Sequence, residues 1–208
     1  MKSRLLTLFG VIGLMVIYTA CTIEQTYHFK SDFSGNFQLR FDLSSMAALS
    51  ESDSTSAATD TIFTPESLEE MRNAYLTVPG VTNATATYTD NVLQSGFDFS
   101  NLEALNAAVG RNNDSGEDAQ GLYNFSKKGK KLIMKINREG MSELTGEDMA
   151  SMGEMVTFKL TVSFERDIKK VKGDIAQWTK GSKEVLIEFP LKDLSDPKKN
   201  LDVEIQLK

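Results

Sequence analysis

Cys21 is the only cysteine of the chain and His28 the only histidine, so any thiol or imidazole chemistry rests on these two. A reactive thiol needs a cation or a helix N-terminus close by to lower its pKa. The sequence around Cys21, "YTACTIEQ", supplies neither. A Ser-His-Asp set built on His28 would lack the G-x-S-x-G context that exposes a serine. "SDPK" (Ser195 to Lys198) has S-x-x-K spacing, but it precedes a strand pattern instead of opening a helix. Zinc prefers clusters of His and Cys, which are missing. "NNDSGED" (Asn112 to Asp118) offers oxygen ligands without the terminal glutamate of an EF-hand loop. Met134, Met141, Met149, Met152 and Met155 lie close together in sequence. Thioethers suit Cu(I), yet they also fill cores or form adaptable apolar surfaces. Core, lipid-accommodating lid and metal site all remain open for this segment, and no cofactor is expected. Carboxylates are plentiful, but no spacing singles out a glycosidase pair.

Cys21 is more informative by position than by reactivity. It follows a basic n-region containing Lys2 and Arg4, then a run of 13 apolar or uncharged residues, Leu5 to Ile17, and then "YTA". Such a run makes about 20 Å of helix at roughly 1.5 Å per residue, short of a bilayer core of roughly 30 Å. Residues 1–20 therefore read as an export signal to be set aside before fold reasoning. Residues 21–208 read as one ectodomain. Strand-like alternation begins directly after Cys21, with Ile23, Gln25, Tyr27 and Phe29 on one face and Glu24, Thr26, His28 and Lys30 on the other. Almost no tether separates the cysteine from the domain.

The other candidate surface is "ERDIKKVKGDIAQWTKGSK", which gathers Lys169, Lys170, Lys172 and Lys180 around the only tryptophan, Trp178. Amphipathic rings and lysine heads both find partners at membrane interfaces. These five residues are candidates for facing a membrane or ligand. The plain alternative is a solvated hairpin with Trp178 turned into the core.

Charge supports an uneven molecule. After residue 20 the chain carries 21 basic and 29 acidic side chains, which argues against nucleic acid. Residues 41–120 hold 13 acidic and 2 basic side chains, whereas residues 121–208 hold 14 acidic and 17 basic. Two solvated faces of different sign would account for this, and so would a basic half facing an anionic surface. One cysteine excludes an internal disulfide.

The elements that must position these residues follow from pattern. "SDFSG" predicts a turn between two alternating strands. Residues 44–61, low in complexity and acidic, predict a mobile loop. Thr64 and Pro65 open a helix with Leu68, Met71 and Tyr75 in one stripe. Two strands joined at Asp90–Asn91 come next, then a second helix with Ser100 and Glu103 as a capping box. A hairpin turning at Lys128–Gly129 precedes a glycine-broken segment that reads as a short helix or irregular structure. The C-terminal part is more purely β. The fold class expected is α+β, an antiparallel sheet built from hairpins with two or three helices packed on one face.

"YTAC" resembles the lipobox of bacterial lipoproteins, which implies cleavage before Cys21 and acylation, palmitate included, at that residue. "DST" and "DTI" (Asp53 to Thr55, Asp60 to Ile62) resemble the O-glycosylation motif of Bacteroidetes envelope proteins. The signal, the strand straight after Cys21, the "DFSG" turn and the β-rich segment ending near Trp178 resemble, more loosely, the LppM-like family. That family usually has a Pro-Gly turn after the strand matching "VTFKLTVSF", where this chain reads "ERDIKKVKG" without proline. The resemblance implies an α+β ectodomain held at the membrane, with lipid or glycolipid binding as its role. The expected function is thus a lipid-anchored, non-enzymatic envelope protein, on the periplasmic side or outer membrane, that binds an envelope lipid or a partner protein. The alternative is an acid-based hydrolase of envelope glycans.

Overall fold

The computed structural model describes residues 21–44, 63–110, 122–138, 153 and 156–208. Among them, eleven strands form two sheets. The larger sheet has the order β3-β4-β2-β1-β7-β10-β9. Its strands are β1 (Cys21–Phe29), β2 (Gly35–Asp42), β3 (Val81–Thr89), β4 (Val92–Phe99), β7 (Val156–Phe164), β9 (Ala176–Gln177) and β10 (Glu184–Pro190). The smaller sheet has the order β5-β6-β11-β8, from β5 (Tyr123–Lys128), β6 (Lys131–Ile136), β8 (Ile168–Lys172) and β11 (Val203–Leu207). Helices α1 (Pro65–Leu76) and α2 (Leu102–Gly110) complete the described elements, with a 3-10 turn at Leu191–Ser195.

Two features correct the expected architecture. The pairing is antiparallel through the hairpins, but the centre of the large sheet is parallel: β1 and β7 run side by side from Cys21–Val156 to Phe29–Phe164. Alternation shows which face of a strand is buried and is silent about its neighbour. The second correction concerns the cover. Helix α1 packs by β3 and β4, where the rings of Tyr75 and Phe97 lie 4.8 Å apart. Helix α2 lies beside β5, and the Asn106 amide bonds both the N–H and the C=O of Phe125 at 2.8 and 2.7 Å. That amide does what a neighbouring strand would do for an otherwise open edge. Among the described residues, the remaining inner face, over β1 and β7, is covered by the smaller sheet and not by α1 or α2.

The junction is aromatic. Phe125 of the small sheet sits 4.9 Å from the Tyr27 ring and 5.8 Å from that of Phe29. Phe29 also meets Phe99 at 5.6 Å and Phe164 at 5.5 Å. Leu132, Met134, Val203, Ile205 and Leu207 belong to the same buried cluster as Leu160, Val162, Val185 and Ile187, so the two sheets share one core. Burying each such side chain contributes about 1.5–3 kcal/mol, which is why one-faced strands from distant parts of the chain seek each other.

Local signals place the elements well. Asp90 and Asn91 both have positive φ, 52° and 61°, as a tight two-residue hairpin turn requires. Gly129 (φ 61°) turns the β5–β6 hairpin. Thr64 caps α1, accepting from the Ser67 N–H at 3.2 Å. In α2 the capping residue is Asn101, whose Oδ1 accepts from Ala104 at 2.9 Å, and not Ser100. Gly35 serves differently from the turn residue its position suggests. It pairs with Phe29 inside the sheet, and a Cβ there would lie 1.8 Å from the His28 carbonyl oxygen. Residues 1–20, residues 45–62 with both tripeptide motifs and all but Ser44 of the expected mobile loop, "NNDSGED" and four of the five clustered methionines lie outside the described residues.

Candidate functional site

Cys21 opens the central strand of the large sheet. It is buried, 6% exposed, and its thiol donates to the Asp42 carbonyl at 3.4 Å. Burial and the neighbouring Asp42 carboxylate push the thiol's pKa up. Both effects disfavour the thiolate, the opposite of what a nucleophile or redox centre needs. Whatever Cys21 does, it does not do by being acidic.

His28 lies on the outer face of the large sheet, its Nδ1 3.0 Å from the Ser163 hydroxyl. Ser163 in turn donates to the Tyr27 carbonyl at 3.3 Å. A hydroxyl has one proton, so with that proton on Tyr27 the His28 nitrogen must be the donor in this pair. The arrangement reverses a nucleophile–base couple. Elsewhere on the large sheet, a concavity of about 500 Å³ is lined by Glu24, Thr26, Gln38, Arg40, Thr87 and Gln94, among others, and by neither His28 nor Ser163. Its charged groups are already engaged: Arg40 meets Asp42 at 2.8 Å and Glu24 at 3.5 Å, and Lys159 meets Glu24 at 3.4 Å.

Four described carboxylates are held below their ordinary range. Asp32 is lowered by the Ser34 hydroxyl, Asp42 by Ser44, Asp167 by Lys208 and Glu204 by Lys131. A glycosidase acid needs the opposite shift. Among the described residues no group of three His, Cys, Asp or Glu side chains could hold a metal ion. Met134, the one described member of the methionine cluster, is a buried core residue.

The tryptophan–lysine segment is split between the sheets. Lys169, Lys170 and Lys172 are exposed on β8, an edge of the small sheet, whereas β9 pairs with β10 at an edge of the large one. Lys169 lies at a bulge where Ile168 and Lys170 pair with the consecutive residues Leu207 and Gln206. Trp178 is half-buried against the core, and its indole N–H is spent on the Ser182 carbonyl at 3.1 Å. Lys180 is exposed in the same turn. That turn leads into Glu184, which pairs with Ser163 near the Phe29 end of β1. It therefore lies about 25–30 Å along β1 from Cys21, at about 3.3 Å per residue.

Register brings other lysines to Lys170 and Lys172. Lys128 pairs with Lys131, Lys131 with Gln206, and Gln206 with Lys170. In the next row Ser126, Ile133, Glu204 and Lys172 follow across the same four strands, and Lys135 pairs with Asn124 beyond them. The run "SKKGKKLIMK" was visible in sequence as basic, but nothing in it said that it would share a face with β8.

Inside the molecule, three tyrosines meet between the layers. Tyr27 donates to Gln25 Oε1 at 2.6 Å, and the Tyr75 and Ser95 hydroxyl oxygens are 3.5 Å apart. Tyr123, 3% exposed, has a buried hydroxyl with no hydrogen-bond partner. Burial first, then the neighbouring tyrosine, pushes the Tyr27 and Tyr123 hydroxyls well above their usual pKa range.

No family model matches the chain, and no curated protein matches it. A solved structure that it resembles distantly is the folded domain of LppM from Mycobacterium tuberculosis, determined by NMR. The two are 14% identical with a TM-score of 0.43, over 91% of this chain and 90% of that one. At that level the likeness assigns neither a ligand nor a role. Among the described residues no helix is long and apolar enough to cross a membrane.

Proposed function

We propose that this protein is a lipid-anchored, non-enzymatic component of a bacterial envelope, attached through Cys21 and binding an envelope lipid or a neighbouring protein close to the membrane. The observation that carries this reading is the place of Cys21. It stands directly after an export-type segment and is at the same time the first residue of the strand at the centre of the sheet. A thiol with a raised pKa has no evident use as a reactive group, whereas acylation needs the residue's position and an enzyme that recognises it. Two or more acyl chains hold a protein far more firmly than one, at about 0.8 kcal/mol per buried CH₂.

Acylation carries a structural requirement. The Cys21 side chain is buried against Asp42 and pairs with Val156, so the first residues of β1 must release it toward the bilayer. The half-exposed residues that follow, from Thr22 to Thr26, belong to the least buried part of β1. The test is metabolic labelling with a fatty-acid probe. Wild type should take up label and fractionate with membranes, and Cys21→Ser should lose both. Labelling that persists in Cys21→Ser, or is missing from wild type, would overturn the anchor. Native mass spectrometry of the detergent-extracted protein should then show a retained lipid or a stoichiometric protein partner.

A further inference from the structure

We propose that the outer face of the four-stranded sheet is a docking surface for an anionic lipid bilayer, one that turns the anchored domain onto its side. The inference deepens the reading of a membrane-attached protein and rests on it. Its basis is a set of five lysines that only the tertiary structure brings together: Lys128 on β5, Lys131 and Lys135 on β6, Lys170 and Lys172 on β8. The buried partners on these strands, Phe125, Leu132, Met134, Val203 and Ile205, point the other way into the core. Among the described residues two carboxylates share the face. Glu204 pairs with Lys131 at 2.8 Å and Lys172 at 3.8 Å, and Asp202 accepts from the Ile136 amide at its rim. Among these described residues positive charge is in excess.

Glu204 ties Lys131 and Lys172 across strands, but the rest of this arrangement does not serve the sheet. Lys128 and Lys131 stand directly opposite each other, and Gln206 is all that separates Lys131 from Lys170. Like charges placed across strands destabilise a sheet. Lysines on an edge strand deter pairing with other chains, which would account for Lys170 and Lys172, but Lys131 and Lys135 sit on the interior strand β6.

The geometry favours a bilayer over a polymeric anion. The lysines spread in two dimensions, across about 14 Å of four strands at about 4.8 Å spacing, and not along a groove. The face's neutral residues, Asn124, Ser126, Ile133 and Gln206, include no aromatic platform for stacking. The rest of the chain is acidic, so a polyanion that wraps would be repelled where a plane that touches one face is not. Orientation completes the argument. If β1 stood upright on its anchor, the Phe29 end of the molecule would be held about 25–30 Å from the bilayer. Charges there would lie beyond the Debye length of about 8 Å at physiological salt. Lying on the small sheet brings the lysines into contact and leaves β1 one sheet spacing, about 10 Å, behind. A few residues released from the start of β1 can cross that gap at about 3.3 Å each.

The test uses the intact protein extracted from membranes and reconstituted into vesicles of phosphatidylcholine, with or without phosphatidylglycerol. A membrane-impermeant amine reagent is applied, and modification is read lysine by lysine, with Lys159 on the opposite sheet as internal control. On phosphatidylglycerol vesicles Lys128, Lys131, Lys135, Lys170 and Lys172 should be protected several-fold relative to Lys159. Protection should vanish in roughly 1 M salt, where the Debye length is about 3 Å. Each lysine changed to glutamine should weaken surface association about fivefold, the effect expected of one cation at an anionic surface. Retention on neutral vesicles reports the anchor separately. If the protein is retained but its lysines are equally reactive on both vesicle types, the docking face is wrong and the anchor stands. If it is not retained on neutral vesicles yet binds anionic ones with the same lysines protected, the anchor is wrong and the face stands. Protection by soluble polyphosphate and not by vesicles would overturn the bilayer as occupant in favour of a polymeric anion.

Discussion

The two sheets turn opposite kinds of surface to their surroundings. On the outer face of the large sheet, Glu24, Asp42, Asp98, Glu184 and Glu188 accompany Arg40 and Lys159. Arg40 and Lys159 are each met by a carboxylate, and Asp98 accepts from the Asn83 amide at 2.7 Å. On the outer face of the small sheet, five lysines share Glu204 and Asp202. The strands are alike in length and alternation, and both inner faces enter one core. What differs is the sign of the charge left over: carboxylates outnumber cations on the large sheet, and lysines outnumber carboxylates on the small one. Each face carries a surplus, and only the basic one has the sign that an anionic plane outside the chain would attract.

The comparison presumes that the two sheets fold as one body, and the largest predicted effect tests that premise. Phe29→Ala removes a ring in contact with Phe99, Phe125 and Phe164, spanning both sheets. Equilibrium denaturation should show a loss of about 3–5 kcal/mol in a single transition. Two separate transitions would mean that the sheets are independent.

The next test probes the interface between them. Tyr123→Phe deletes a buried hydroxyl with no partner. Stability should rise by up to about 1 kcal/mol, because an unpaired buried polar group costs free energy. A clear loss would show that the hydroxyl bonds a water or ligand in solution.

Two smaller effects set the faces directly against each other. Glu24→Gln removes the carboxylate shared by Arg40 and Lys159, and should cost about 0.5–1 kcal/mol. Lys128→Gln combined with Lys170→Gln should change stability by less than about 0.5 kcal/mol, or raise it, since like charges are being relieved. Thermal denaturation of both variants decides the matter. A larger loss from the lysine pair than from Glu24 would mean that the basic face is structural.

The smallest effect is in pH. Asp42 on one face and Glu204 on the other have folded pKa values below those of the unfolded chain. Each therefore contributes stability present above the ordinary carboxylate pKa of about 4, and lost as pH falls through the lowered folded value. Melting temperatures between about pH 6 and pH 2 should fall with acidification, and Glu204→Gln should flatten that fall slightly. An unchanged slope would show that Lys131 and Lys172 do not hold Glu204 in solution.

Much of the molecule was legible without coordinates, and the reasons are local. The turn at Asp90–Asn91, the Thr64 cap and the inward series Ile23, Gln25, Tyr27, Phe29 all depend on neighbours within a few residues. Ser100 and Asn101 both suit the α2 cap by type, and only the bond to Ala104 distinguishes them. Gly35 suits a turn by type, because sequence shows flexibility but not crowding. The segment around Trp178 is continuous in sequence, and the fold divides it between two sheets.

By itself, then, the sequence determined which residues alternate and where helices begin. It also determined that Cys21 stands where a short apolar run gives way to the first alternating strand, and that residues 121–208 are basic. All of these are properties of short stretches or of composition. Tertiary structure alone decided the parallel pairing of β1 with β7 and the cover of the large sheet by the small one. It also decided the meeting of Lys128, Lys131 and Lys135 with Lys170 and Lys172. Those contacts join residues far apart in the chain, and what selects them is the shared burial of apolar faces, which alternation marks as inward without naming what they will touch.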